Sequence, residues 1–286
     1  MPTLHFAAHN DTLLTPQHLA YVQDEIVVAE FGGNQLAILD EAAKNRINTI
    51  GTGFVTGVVG VAARGASVIA VHQFLLREFD SSGALSATHA IAASQAQGVT
   101  YVPLLDETVI ADFANNQLLC FDGRYDQYSS LGVGPGLPPS SPGPDRFYQP
   151  KDVHYAEDQQ VGPALFVADQ GNNRVLRIRL DRKTAVGKMT LDFATNTDEF
   201  KLSASPSSFR PSSVTYDPDR ELLYCTSGFA KIWVVDIRSG SVDVLYDNFG
   251  SDPDQFMNTA GIALSSSGIL VVSDYSLNKV ASFEIK

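Results

Sequence analysis

The stretch LFVADQGNNRVLRIRL, Leu165–Leu180, decides the fold, because its pattern returns along the chain. It reads as two apolar strands joined by a tight turn that carries an Asp, a Gly and two Asn. Glu25–Leu39 (EIVVAEFGGNQLAIL), Glu107–Phe121 (ETVIADFANNQLLCF) and Gly268–Phe283 (GILVVSDYSLNKVASF) follow the same grammar. In each, an apolar run ends on an acid and an Asn follows four residues later: Glu30/Asn34, Asp112/Asn116, Asp169/Asn173 and Asp274/Asn278. Two weaker copies with shortened turns, SVIAVHQFLLREF and LLYCTSGFAKIWVVDI, put His72 and Ser227 where the acid stands elsewhere. Six units at a spacing of about forty to sixty residues predict a propeller or a solenoid.

Each unit opens with a further short segment, here called strand a: PQHLAY from Pro16, VVGVAA from Val58, AQGVTY from Ala96, PKDVHY from Pro150, PSSVTY from Pro211 and TAGIAL from Thr259. Strand b is the run ending at the acid position, and strand c is the run after the Asn. A strand d follows in most units, as INTIGTG and VDVLYD do. Short strands with turn residues between them, four to a repeat, predict an all-β fold of propeller blades. The last unit stops at strand c, in KVASFEIK, and the fourth strand is available at the other end as TLHFAA, Thr3 to Ala8. The expectation is one domain over 1–286: a six-bladed β-propeller of four-stranded antiparallel blades, the last closed by the N-terminal strand.

Composition narrows the functions. With 44% hydrophobic and 18% charged residues the chain has the makings of a substantial core, and no apolar run is long enough to cross a membrane. A net charge of −12 and a pI near 4.8, with no Lys/Arg cluster, repel polyphosphate, so nucleic acid is not an expected partner. The start, MPTLHFAAHNDTLL, has neither a basic n-region nor a long apolar core, so a cytoplasmic location is expected. Cys120 and Cys225 lie in apolar strands of different repeats, as reduced buried thiols do.

PKDVHY with ALFVADQGNNRVLRI resembles an NHL repeat, whose pattern is a Pro-led first strand, a Val-Ala-Asp, a Gly/Asn turn and Arg-Val or Arg-Ile. The fourth unit matches almost throughout, the first, third and sixth in part, the second and fifth poorly, and together they span nearly the whole chain. The resemblance implies a propeller. It implies little about function, since NHL propellers include enzymes, RNA binders and protein scaffolds.

Within the turn, the carboxylate can accept hydrogen bonds from nearby amides while Gly and Asn take positive-φ positions. Structural duty is therefore expected of Asp112, Asp169 and Asp274, although their place at strand ends near the axis also counts them among residues able to line a substrate pocket. Departures from the repeat are more informative. The acid position holds Glu30 in the first blade and His72 in the second. The third position of strand a reads His18, Gly60, Gly98, Asp152, Ser213 and Gly261 around the ring. Three Gly are expected to leave the axis open, with His18, Asp152 and Ser213 projecting into it as pocket residues. His18, Glu30 and His72 are then expected to converge at one mouth as catalytic acid and base, or as ligands of a divalent metal, the one candidate cofactor.

Other residues read as structural. Tyr21, Tyr101, Tyr155 and Tyr216 recur at one position of strand a and are expected between blades, with Trp233 and Phe79 in the core and His154 packed between blades. His5, His9 and His89 show no partner in the sequence. Two long Gly/Pro/Ser-rich connections, Gly132 to Phe147 and Asp192 to Phe209, read as loops or a lid over the pocket face. Zinc-type Cys pairs, a Walker loop, a GxSxG elbow and an EF-hand loop are absent from the sequence. The residues of a gluconolactonase-type metal site are not matched by TPQHLAY and PKDVHY. The zinc histidines of peptidylamidoglycolate lyases find a positional counterpart only in His18.

Two functions compete. One is a small-molecule enzyme of lyase, hydrolase or cyclase type, working in a pocket at the central channel mouth with or without a metal. The alternative is a non-catalytic NHL scaffold for a protein partner. Such scaffolds usually accompany another functional domain, which these six units do not, and that favours the enzyme.

Overall fold

The first strand, β1 (Leu4–Asn10), does not belong to the sheet that follows it. In the computed structural model, which describes residues 1–72, 74–132, 143, 146–180, 197–201 and 209–286, six four-stranded antiparallel sheets are formed. Blade 1 holds β2 (Pro16–Val22), β3 (Glu25–Glu30), β4 (Gln35–Leu39) and β5 (Arg46–Ile50). Blade 2 holds β6 (Val58–Arg64), β7 (Ser67–His72), β8 (Leu75–Phe79) and β9 (Leu85–Ala90). Blade 3 holds β10 (Ala96–Val102), β11 (Glu107–Asp112), β12 (Gln117–Phe121) and β13 (Gln127–Leu131). Blade 4 holds β14 (Pro150–Asp158), β15 (Gly162–Asp169), β16 (Arg174–Arg179) and β17 (Thr197–Phe200). Blade 5 holds β18 (Ser213–Asp217), β19 (Leu222–Thr226), β20 (Lys231–Asp236) and β21 (Ser241–Asp247). Blade 6 holds β22 (Thr259–Leu264), β23 (Ile269–Asp274) and β24 (Lys279–Ile285), and β1 is its fourth strand.

This is the six-bladed propeller that the repeats predict, closed by the N-terminal strand. β1 pairs with β24 from Leu4↔Ile285 to Asn10↔Val280, two residues beyond the expected TLHFAA. Closure gives β24 a partner on its outer side, where a free edge would invite pairing with another chain.

The core lies between blades rather than at the centre. Six buried apolar clusters fill the six interfaces, including the one that joins blade 6 to blade 1 through Leu19, Ile26, Val271 and Val280. A blade interior is thus covered on both faces, which is why strand b reads as a continuous apolar run rather than an alternating one. β11 is buried at all six positions, whereas the outermost β9 alternates with solvent. The four strand-a tyrosines pack at these interfaces, as expected. Tyr21 donates to the Glu41 carbonyl, Tyr101 to Asp106, Tyr155 to Glu157, and Tyr216 accepts from the Gln159 amide. Cys120 and Cys225 are free and buried, and burial pushes both thiols up.

The repeated turn is a staple between strands and loops. Asn34, Asn116, Asn173 and Asn278 all take φ between 51° and 56°, the left-handed conformation that Asn tolerates. Gly171 serves a different purpose from the one expected: a Cβ there would lie 2.4 Å from the Tyr148 ring, so Gly permits close approach rather than a positive φ. Each acid accepts from the amides of the loop that leads into strand a of its own blade. Asp112 takes Ser94 and Gln95, Asp169 takes Tyr148, and Asp274 takes Met257 and Asn258. The Asn four residues later reaches the loop before the next blade. Asn34 accepts from Gly57, Asn116 from Gln149 and Asn278 from Thr15.

Candidate functional site

Strand a of each blade faces the axis, and its third position carries the contacts that close the ring. A Cβ on Gly60 would stand 2.2 Å from the Gln97 carbonyl oxygen, one on Gly98 would stand 2.0 Å from Asp152 Oδ1, and one on Gly261 would stand 2.5 Å from the Gln17 oxygen. The three glycines therefore do not leave the axis open. They let neighbouring strands converge, and the channel narrows here to about 20 Å3 between Gln17, His18, Gly98, Lys151, Ser213 and Gly261.

The other three positions fill the neck with a hydrogen-bonded set. His18 Nε2 lies 2.9 Å from Asp152 Oδ1, and His18 Nδ1 lies 3.0 Å from the Val61 carbonyl. Both ring nitrogens donate when the imidazole is charged. Burial opposes that charge, but Asp152 and the Val61 carbonyl outweigh it and raise the His18 pKa. Asp152 also accepts from Ser213 Oγ at 2.6 Å and from the amides of Val153 and Val214. Burial resists its ionisation too, yet His18 and these donors hold its carboxyl below the usual range. The order is Ser–Asp–His, so the carboxylate lies between the serine and the imidazole. Ser213 donates a hydrogen bond to Asp152, whose lowered pKa makes it a weak base, and the imidazole does not contact the hydroxyl as it would in an activated nucleophile. Asp152, at 1% exposure, works as a pin rather than as an open pocket residue.

Below the neck, a chamber of about 220 Å3 is lined by His18, Tyr21, Thr100, Tyr101, His154 and Tyr155 among apolar neighbours. His154 belongs to this chamber, contrary to the expectation that it packs between blades, because a spacing of two along a strand returns to the face that Asp152 uses. Burial and the charge of His18 push its pKa down to about 4 against the pull of Asp152, so at neutral pH it is an uncharged imidazole.

Above the neck, on the side where strand a begins, a vestibule of about 210 Å3 is lined by Gln17, Lys151, Gln170, Arg210, Ser212, Ser227, Phe229, Thr259 and Tyr275. Lys151 and Arg210 bring two cations to one mouth of a chain whose net charge is −12, and neither has an ion-pair partner among the described residues. Burial lowers the Lys151 pKa, and Arg210 lowers it further against the opposing pull of Asp152. Lys151 Nζ also stands 6.0 Å over the Phe113 ring. Ser227 Oγ is buried without a hydrogen-bond partner among the described residues.

The trio expected to share a mouth does not come together. Glu30 is fully buried and consumed by the Leu14 amide, Gln35 Nε2 and Arg46 Nη2 at 2.8 Å, all within blade 1. His72 takes the acid's structural role in blade 2, where its Nδ1 stands 3.4 Å from the Thr56 amide at the entry to its own strand a. His18 belongs to the pin. Among the described residues no three His, Cys, Asp or Glu side chains are grouped to hold a metal ion. Asp112, Asp169 and Asp274 are likewise buried under their turns and are not pocket residues, because turn amides and Asn, Gln or Arg side chains occupy their oxygens. Lys151 and Arg210 were missed, since Lys151 sits at a strand a position whose residue type does not recur and Arg210 lies just outside strand a. Ser227 did carry a signal: of the six acid positions, it alone pins no entry loop among the described residues. The expected loop or lid segments, Gly132 to Phe147 and Asp192 to Phe209, lie largely outside the described residues.

The fold and this axial vestibule define the chain as a six-bladed β-propeller with a polar site at one mouth. No protein-family model and no curated protein matches it. Among solved structures it is similar to a streptogramin B lyase, with 12% identity over 95% of this chain and 94% of that one, at a TM-score of 0.61. It is also similar to the Cps50 (Swd1) β-propeller domain of Myceliophteria thermophila, with 9% identity over 99% and 100% of the two chains, at a TM-score of 0.67. At these identities the likeness is one of fold. Among the described residues no helix is long and apolar enough to cross a membrane.

Proposed function

We infer that this propeller, NHL-like in its repeats, is a small-molecule enzyme of lyase, hydrolase or cyclase type whose substrate carries an anionic group and sits in the upper vestibule. The observation that carries the reading is the pair Lys151 and Arg210, facing one mouth with no carboxylate partner among the described residues. Burial takes the Lys151 ammonium partly out of water, and a bound anion is what would restore the stabilisation that no carboxylate partner gives it. Arg210, exposed and always charged, anchors the anion. Lys151, whose ammonium is destabilised by burial and by Arg210, moves a proton, and Ser227 donates or accepts a hydrogen bond. The pin of His18, Asp152 and Ser213 forms the floor and excludes through-flow of water along the axis.

One observation favours the scaffold reading. Phe31, Phe54, Phe74 and Phe249 are 45–69% exposed on the loops of this same face, and a protein partner would cover them. A panel of small carboxylic acids and their neutral amides decides between the two. An enzyme site of this kind raises the melting temperature with the acids, as native-state binding must, and Arg210→Ala reduces the shift. Product formation from the acids that bind, followed by mass spectrometry, then identifies the reaction type. A scaffold responds to neither acids nor amides, and that result ends the enzyme reading.

A further inference from the structure

We propose that the upper vestibule selects planar aromatic acids, the carboxylate held between Lys151 and Arg210 and the ring against Phe229 and Tyr275. This rests on the anion-site reading above and adds the part of the substrate that carries no charge. Phe229 is 62% exposed and Tyr275 is 38% exposed, yet both line the vestibule, and neither stacks on another aromatic ring among the described residues. Each is tied to the blade 5–6 junction by a hydrogen bond: Thr259 Oγ1 donates to the Phe229 carbonyl at 2.9 Å, and the Tyr275 amide donates to the Asn258 carbonyl. Two rings held at a mouth without packing partners have π faces to offer a ligand.

The third ring, Phe113, already faces a cation in Lys151. It steadies the ammonium without neutralising it, so the charge stays available to a carboxylate. The vestibule thus brings cations and unstacked rings within about 210 Å3, and the simplest molecule complementary to both is a flat ring bearing an acid. The unpartnered Ser227 hydroxyl fits the second oxygen of that acid or a ring hydroxyl.

Calorimetric titration of the full chain with benzoate, cyclohexanecarboxylate and benzamide tests this. Benzoate is expected to bind more tightly than the saturated acid by about 2- to 12-fold for each ring it meets. Benzamide is expected to bind about tenfold or more weakly than benzoate, for want of charge-assisted hydrogen bonds. The Phe229→Ala, Tyr275→Ala double variant should bring the benzoate-to-cyclohexanecarboxylate ratio close to one while retaining acid binding. Phe229→Leu, which keeps bulk without a π face, reads the same ratio if the double variant does not fold. Equal affinity for the two acids, or a preference that survives both variants, overturns the aromatic selectivity and leaves the anion site standing. Binding of neither acid overturns both.

Discussion

His18 and Asp152 are 134 residues apart in the chain, yet they meet across the channel axis with Nε2 and Oδ1 2.9 Å apart. The pair joins blade 1 to blade 4, while the contacts of His18 with Val61 and of Asp152 with Ser213 run to the next blades around the ring. Opposite sides of the propeller are thus tied through its neck by charge.

That tie has a pH window. His18 is raised in the folded state, so its contribution is complete below the unfolded value of about 6.5 and fades as pH rises through the folded one. Asp152 is depressed, so its contribution is complete above about 3.9 and fades as pH falls through its folded value. The stability lost in His18→Gln, measured by urea unfolding, is therefore expected to be largest between about pH 3.9 and 6.5 and smaller on either side. Asp152→Ala, which strands a buried imidazole without its partner, is expected to lose about 3–5 kcal/mol at pH 6. A loss for His18→Gln that is flat from pH 4 to 9 would contradict the charged pair.

Steric closure at the same level is a separate matter. A Cβ at Gly98 would fall 2.6 Å from the Cα of Asp152, a backbone atom that cannot swing aside. Gly98→Ala is expected to cost about 3 kcal/mol. Gly240→Ala meets nothing within 4 Å and strains only a φ of 73°, so about 1 kcal/mol is expected there. Comparable losses in the two variants would show that the neck is looser than the contacts imply.

The repeats made the fold legible because four of the six blades carry the residues for the same two staples, and a recurring need leaves a recurring pair such as Asp112 and Asn116. Closure was legible too, since a unit short of one strand implies a donor at the other end. The site was not. Lys151 holds the second position of strand a, where Gln17, Ser212 and Ala260 also reach the vestibule, and the residue type there changes from blade to blade, so no recurrence marked it. Arg210 comes from a loop, where neither period applies. His72 and Glu30 stood out as departures from the repeat, but they depart in residue type while keeping the acid's role.

The staple itself can be removed one residue at a time. Asp274 accepts from four backbone amides, those of Met257, Asn258, Ser276 and Leu277. Asp274→Ala leaves those donors at a buried turn and is expected to cost about 3 kcal/mol or more. Asn278→Ala loses only its bond to the Thr15 amide and its tolerance of a left-handed φ of 54°, about 1–2 kcal/mol. Denaturant midpoints order the two, and the reverse order would mean that the link to the next blade matters more than the one within its own.

Lys151 supplies the last prediction, because its position sets the pH at which the vestibule ceases to hold an anion. Burial, with Arg210 beside it, lowers its pKa against the attraction of Asp152. The charged form is the one that binds a carboxylate, so affinity for benzoate is expected to begin falling at a pH below the ordinary lysine value of about 10.4. Arg210→Ala removes a repelling charge as well as an anchor: binding weakens overall, but the pH at which the decline begins moves up. Lys151→Arg, charged throughout, should bind with no decline up to about pH 10. Calorimetry from pH 7 to 10 on the three proteins separates these effects, since a shared decline at one pH would place the titrating group somewhere other than Lys151.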